Sequence, residues 1–232
     1  MTRRIAIVDT ETASLRGPVI ELAIIWINEN LDVLSTFETL IDPIVPIVPA
    51  AQAVHHITQG MVADAPTMTE FIERDGNPFA GDGELVFVAH NAQFDARMLA
   101  DVLPQEHKRI CTLKMARAIW PDLNMEECNH KLETLVIMFG LETGAAHRAM
   151  GDCVAGLSLL RHMATVTGAS SFDELISLGV REISQDSKLN FGQKHRDTKI
   201  KDVPVSYLNW MLANVTDLDP DLRVAITSRL KP

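Results

Sequence analysis

Cysteines, aromatic residues, positive charge and unbroken apolar runs are all scarce in this chain, and most of these shortages close off a class of protein. The three cysteines, Cys111, Cys128 and Cys153, form no close pair and no zinc-like spacing. That excludes a disulfide scaffold and a thiolate metal site. An odd count without a secretion signal points to reduced thiols in the cytoplasm. No apolar run approaches the length of a membrane span; the longest are broken by Glu21 or by Pro43, Pro46 and Pro49. The basic start, Met-Thr-Arg-Arg, leads into an apolar stretch too short for a signal-peptide core. A cytoplasmic protein without membrane association is therefore expected. The formal net charge is −10, whereas proteins that coat or read long duplexes usually carry a basic footprint. Gripping a few terminal nucleotides is still compatible with that charge. One local exception runs from Lys188 to Lys201, where Lys188, Lys194, Arg196, Lys199 and Lys201 face a single acid, Asp197. Such a run is either a solvated face or a phosphate contact. Internal repeats and low-complexity tracts are absent.

What is present is a globular composition. The 232 residues are 47% hydrophobic, enough for one sizeable core and a small appendage. Within it, three stretches carry chemistry: Ile-Val-Asp9-Thr-Glu11-Thr, Ala-His-Asn-Ala-Gln-Phe-Asp95, and His147-Arg-Ala-Met-Gly-Asp152. The first follows the apolar run Arg4–Val8, which reads as a buried strand. Residues i and i+2 of a strand share a face, so Asp9 and Glu11 present two carboxylates side by side. Like charges that close are unfavourable unless a cation sits between them. The second follows Leu85–Ala89, another buried run, and places His90, Asn91 and Asp95 at a strand-to-helix junction. An aspartate there also complements the helix dipole. The third opens a long apolar-patterned helix. Asp152 lies about one turn inside it, and His147 lies just before it in a segment that contains Gly144 and is free to move. Four carboxylates and a histidine suit metal-assisted phosphodiester hydrolysis: the acids hold divalent cations, and the histidine takes a proton from water.

Together and in this order, the three stretches resemble the DnaQ-like (DEDDh) family of 3′-to-5′ exonucleases, over residues 4–166. Asp9 and Glu11 match the first motif, Asp95 the second, and His147 with Asp152 the third. Val54-His55-His56-Ile57-Thr58 resembles the family's His-x-Ile-Thr segment near the substrate. The resemblance implies a ribonuclease-H-like fold with its site at the carboxyl ends of the first and fourth strands. It also implies two Mg²⁺ (or Mn²⁺) ions. Asp9, Glu11 and Asp152 would hold the ion that activates water. Asp9 would bridge to the second, helped by Asp95, and His147 would be the general base. Thr10, Thr12, His56, Ile57, Asn91 and Phe94 are the candidate substrate contacts; for His56, Ile57 and Phe94 the alternative is ordinary core packing. The expected partner is a DNA 3′ end, single-stranded or frayed from a duplex, and the product a nucleoside 5′-monophosphate. The alternatives are an exoribonuclease, a proofreading subunit docked on a polymerase, a homodimer, or a non-catalytic module that binds nucleic acid or protein.

The pattern predicts an α/β fold, a mixed sheet flanked by helices with a small C-terminal α+β appendage. Strands are expected near 4–9, 19–27, 33–41, 85–89 and 109–112, the second and third joined by a turn at Glu29-Asn30. Helices are expected near 49–56, 67–74, 94–103, 113–119, 131–139, 148–166 and 171–178. The exonuclease domain is assigned to 1–180, a polar linker to 181–190, and a small, nucleic-acid-contacting domain to 191–232. In this last part a hairpin is expected at 194–203 and helices at 205–215 and 218–230. Phe191-Gly192-Gln193 departs from the Phe-Gly-Lys-x-x-Gly turn of the exonucleases that the tail resembles, with Asp197, a residue that tolerates left-handed backbone, near that turn's last glycine. Tyr207, Leu208, Met211 and Leu212 share a helical face, which reads as a small core rather than a base-stacking platform.

Overall fold

The computed structural model describes residues 2–121, 123, 129–145, 147–178, 184–189, 194–215, 218 and 220–231. Two compact units divide the chain, Met1–Val180 and Arg181–Pro232. In the first, β1 (Arg3–Thr12), β2 (Val19–Ile27), β3 (Val33–Leu40), β4 (Glu84–Ala89) and β5 (Lys108–Cys111) form one sheet in the order β3-β2-β1-β4-β5. The first three strands pair antiparallel, while β4 runs parallel to β1, and β5 parallel to β4. The turn from β2 to β3 is closed by Asn28, whose Oδ1 accepts the backbone N–H groups of Asn30 and Asp32 at 2.9 Å.

Strand alternation sorts the core into two layers. Ile5 and Ile7 of β1, with Ala23 and Ile25 of β2, face α5 (Thr112–Ile119), α6 (Leu132–Phe139), α7 (Ala149–Thr167) and α8 (Phe172–Ser177). Ala6 and Val8, with Leu22 and Ile24, face the opposite layer, which contains α4 (Ala92–Met98) and Phe79. A sheet covered on both faces explains why its central strands read as continuous apolar runs. Before β4 come α1 (Pro49–His55), α2 (Gln59–Val62) and α3 (Met68–Asp75). Local chemistry sets many ends: Pro49 opens α1, Thr67 and Glu70 form a capping box on α3, and left-handed Gly140 and Gly168 close α6 and α7. The short α2 is not foreshadowed by periodicity, being a single turn after Thr58. The fourth helix spans 92–98 rather than the expected 94–103. Asn91 turns the chain with φ +71° and starts the helix at once, and Leu99 ends it.

The second unit has its own core, built from Leu189, Ile200, Val203, Leu208, Met211, Val215, Leu218, Leu222, Ala225 and Ile226. Its helices are α9 (Val205–Asn214) and α10 (Pro220–Leu230). The expected hairpin at 194–203 is reduced to an antiparallel bridge between Lys188 and Lys199, followed by a short 3-10 turn at Ile200–Asp202. Asp197 adopts φ +63° and its N–H donates to the Leu189 carbonyl, so the returning chain pairs with 188–189 instead of within 194–203. Phe191, Gly192 and Gln193, with residues 181–183 and 190 of the expected linker, lie outside the described residues.

Candidate active site

Asp9 and Glu11 continue along β1 the face that Ile5 and Ile7 present to α7. The helix crosses this face closely: the Cys153 thiol lies 3.6 Å from the Ile7 carbonyl and 3.4 Å from that of Ala23. Asp152, the preceding residue in the first turn of α7, therefore meets the two strand acids. One oxygen from each of Asp9, Glu11 and Asp152 lies within 4.8 Å of the others. Carboxylate oxygens at that spacing are the donor set of a hard divalent cation.

Asp95 reaches the cluster from the other layer. It is 2% exposed and accepts the backbone N–H of Thr10 at 3.1 Å and its hydroxyl at 2.8 Å. Because α4 starts directly after Asn91, Asp95 falls in its first turn, above the end of β1. It is not one of the three clustered acids, yet among charged neighbours its carboxylate acts most strongly on Asp9.

Burial and mutual repulsion both oppose ionisation here. Desolvation is the largest influence on Asp9, followed by Asp95, Asp152, Glu11 and Glu21, and its carboxyl stands well above the ordinary range. Burial, then Asp152 and Glu21, push Glu11 up to about 8. Burial lifts Asp95 to about 7 against the opposing bonds from Thr10. Asp152 is raised by burial, with the nearby His147 partly offsetting it. A carboxylate set that resists charging by itself is one that a cation would bring back to its ionised form.

His147 precedes α7 in a left-handed conformation, φ +57°, with Nε2 3.6 Å from Glu133 Oε2 and a half-exposed side chain. The backbone beneath it is closely packed rather than loose. A Cβ on Gly144 would lie 2.8 Å from Gly151 Cα, and one on Gly151 would overlap the Ala145 carbonyl oxygen. Two further residues anchor this end of α7 and were not among the sequence-derived candidates. Glu21, fully buried opposite Glu11 on β2, accepts from Arg148 Nε at 2.9 and 3.1 Å, from Arg148 Nη2, and from Ala149 N–H at 2.9 Å. The sequence does carry a signal for this pair: a lone charge inside Val-Ile-Glu-Leu-Ala-Ile-Ile-Trp-Ile has to meet a partner.

The expected substrate contacts divide. Thr10 and Thr12 are buried, Thr10 on Asp95 and Thr12 donating to the Ser14 carbonyl at 2.8 Å. Ile57 is fully buried among Ala13, Ile20, Ile47 and Val62. His56 is exposed and left-handed at the end of α1. The buried histidine of that pair is His55, whose Nδ1 accepts the Ile57 N–H at 3.0 Å. Asn91 is exposed, and half-buried Phe94 carries the Arg97 guanidinium 5.7 Å from its ring centroid.

A family model described as "Exonuclease" matches residues 6–160. Exodeoxyribonuclease 10 of Escherichia coli K12 is 32% identical over 97% of this chain and 98% of its own length. DNA polymerase III subunit epsilon of Treponema pallidum is also 32% identical, over 67% of this chain and 74% of its own. A solved exonuclease X in complex with 5′-overhanging duplex DNA superposes with a TM-score of 0.60 at 30% identity, covering 75% of this chain and 99% of that one. The acids on β1, α4 and α7 thus sit in a fold and a sequence that agree, and the chain belongs to the exonuclease family and is a DNA exonuclease.

Proposed function

We propose that this exonuclease removes nucleotides from the 3′ end of DNA in a divalent-cation-dependent hydrolysis that releases nucleoside 5′-monophosphates. The observation that carries this reading is the convergence of Asp9, Glu11 and Asp152 within 4.8 Å, with Asp95 beside Asp9. All the donors are carboxylate oxygens, which fits Mg²⁺ or Mn²⁺. Asp9, Glu11 and Asp152 would hold one ion, and Asp9 with Asp95 a second. When bound, such ions neutralise phosphate charge and acidify water.

The chain's own residues do the rest. His147 accepts the proton of the attacking water, with Glu133 Oε2 3.6 Å from its Nε2. Glu21 holds Arg148 and the first N–H of α7, which places Asp152 and His147 relative to β1. Thr10 fixes Asp95 with two hydrogen bonds. Phe94, Asn91 and His56 are the expected candidates that remain accessible for contact with the terminal nucleotide.

Two measurements test this reading. Matched single-stranded DNA, duplex DNA and RNA, each labelled at the 5′ end, should show DNA shortened from the 3′ end only when a divalent cation is present. A 3′-phosphorylated strand should resist. Equal loss of 3′-blocked strands or cutting of closed circles would contradict the polarity, and preferential loss of RNA would move the substrate class. His147→Ala should bind metal normally in calorimetric titration while turnover falls about 10²–10⁴-fold. Loss of metal binding as severe as in Asp152→Ala would remove His147 from the role of base.

A further inference from the structure

The second unit differs from the first in charge and in the aromatic rings it displays. Residues 1–180 carry twelve Lys and Arg against twenty-four Asp and Glu, a net charge of −12, whereas residues 181–232 carry nine against seven, a net of +2. The strongly acidic unit is the one that must act on a polyanion. Of the five cations between 188 and 201, Lys199 and Lys201 are tied to Asp186 at 3.6 and 2.6 Å. Lys188, Lys194 and Arg196 are exposed and have no ion pair among the described residues.

The rings lie beside two of those cations. His195, between Lys194 and Arg196, meets Tyr207 edge-on with centroids 4.7 Å apart. Tyr207 in turn stacks on Trp210 at 5.6 Å with planes 27° apart. Leu208 and Met211 of α9 are buried in the small core, but Trp210 is 47% exposed. Tyr207 packs against this core as well, so it ties the aliphatic seam of the helix to a histidine–tyrosine–tryptophan row that ends at an open indole. An indole left half in water is a stacking surface for a planar partner, and cations flanking the histidine at the other end of the row suit a phosphate backbone.

We propose that the C-terminal unit is a binding site for single-stranded DNA, in which bases stack on Trp210 backed by Tyr207 and His195 while Lys194 and Arg196 contact phosphates. This rests on the reading that DNA is the substrate. It assigns the unit the part of holding strand that the acidic unit repels, without reading base sequence, since every base offers a ring face.

The test uses the full chain in excess chelator, where no hydrolysis occurs and the unscreened acids of the first unit disfavour phosphate. Fluorescence anisotropy with a labelled oligothymidylate should show Trp210→Ala weakening binding about five- to a hundred-fold, the range for stacking of one base. Trp210→Phe should recover most of the affinity. Lys194→Ala with Arg196→Ala should flatten the salt dependence by about 0.7 in log–log slope for each phosphate that is no longer neutralised. An abasic strand of equal length should bind the wild-type chain weakly and be indifferent to Trp210→Ala. The proposal is overturned if Trp210→Ala binds oligothymidylate like the wild type. It is equally overturned if the variant loses affinity for the abasic strand by the same factor, which marks a folding or charge effect. Failure of the exonuclease reading would look different: the wild-type chain would not hydrolyse DNA when metal is restored, whatever the anisotropy.

Discussion

Asp9 lies where its charge is least welcome in the metal-free chain, buried on a strand and ringed by Asp95, Asp152, Glu11 and Glu21. Removing that charge should relieve the fold while ending the chemistry. Asp9→Asn is expected to melt at a higher temperature than the wild type at neutral pH without metal, to lose the metal-induced rise in melting temperature, and to show no hydrolysis. An unchanged metal-induced rise would sink the assignment of Asp9 as a ligand. The same acids set a pH dependence whose sign follows from the direction of their shifts. In the unfolded chain they ionise at about 4, but in the folded chain Glu11 keeps its proton to about 8 and Asp95 to about 7. The folded state binds more protons across that window, so their stability contribution is full below the unfolded value and is lost as pH rises through 7 to 8. Buried His90 acts in the opposite sense. Burial lowers it to about 4, so stability is lost as pH falls from its unfolded value toward that point. Both chains in a comparison of wild type with Glu11→Gln carry His90, so the difference isolates the acid. Chemical denaturation without metal should show the wild type losing ground to the variant between pH 5 and 8, and a flat difference would refute the buried-acid account.

At the scale of elements, the site depends on how closely the start of α7 approaches its neighbours. Gly151 is the tightest point, with no room for a Cβ against Ala145. Gly151→Ala must push apart the helix and the segment carrying His147. A shift of about 1 Å at a reacting group costs on the order of 10²-fold in rate. Turnover should therefore collapse while the helix content measured by circular dichroism stays the same. Wild-type turnover in this variant would mean that the segment adjusts freely and that His147 needs no such support. Part of the strand logic of this region is readable from sequence: alternation puts Asp9 and Glu11 on one face, and the resemblance implies a site at the carboxyl ends of the first and fourth strands, which the structure pairs in parallel. Which helix covers that face is not readable from periodicity, because the apolar pattern of 148–166 does not mark α7 rather than α5 or α6 as its partner; only the motif match of Asp152 points to it.

For the whole molecule, hydrophobic packing that is separate in each of the two units implies two separable stabilities. Leu208 is fully buried in the smaller core. Leu208→Ala should cost that unit about 2–5 kcal/mol, a large share of what so small a core supplies. Hydrogen exchange should then show protection lost in α9 and α10, with the amides of β1, β4 and α7 unchanged. Protection lost throughout the chain would show that the two units unfold as one.

The sequence alone determined most element types in the first unit (not the single turn α2), the mixed sheet, the two acidic strand positions and the family resemblance, because these rest on local periodicity and on residue types at short spacings. It also carried the left-handed position at Asp197, a residue that tolerates such backbone. Only the tertiary structure decided what lies between those elements. It put Asp95 on the opposite layer from the other three acids and tied it to Thr10. It paired Glu21 with Arg148 across more than a hundred residues, buried Ile57 and left His56 in solvent. It also left Trp210 of α9 half-exposed against Tyr207 while burying Leu208 and Met211. The physical reason is common to all of these: which side chains are desolvated together depends on contacts between distant segments, and neither hydrophobic period nor motif spacing encodes them.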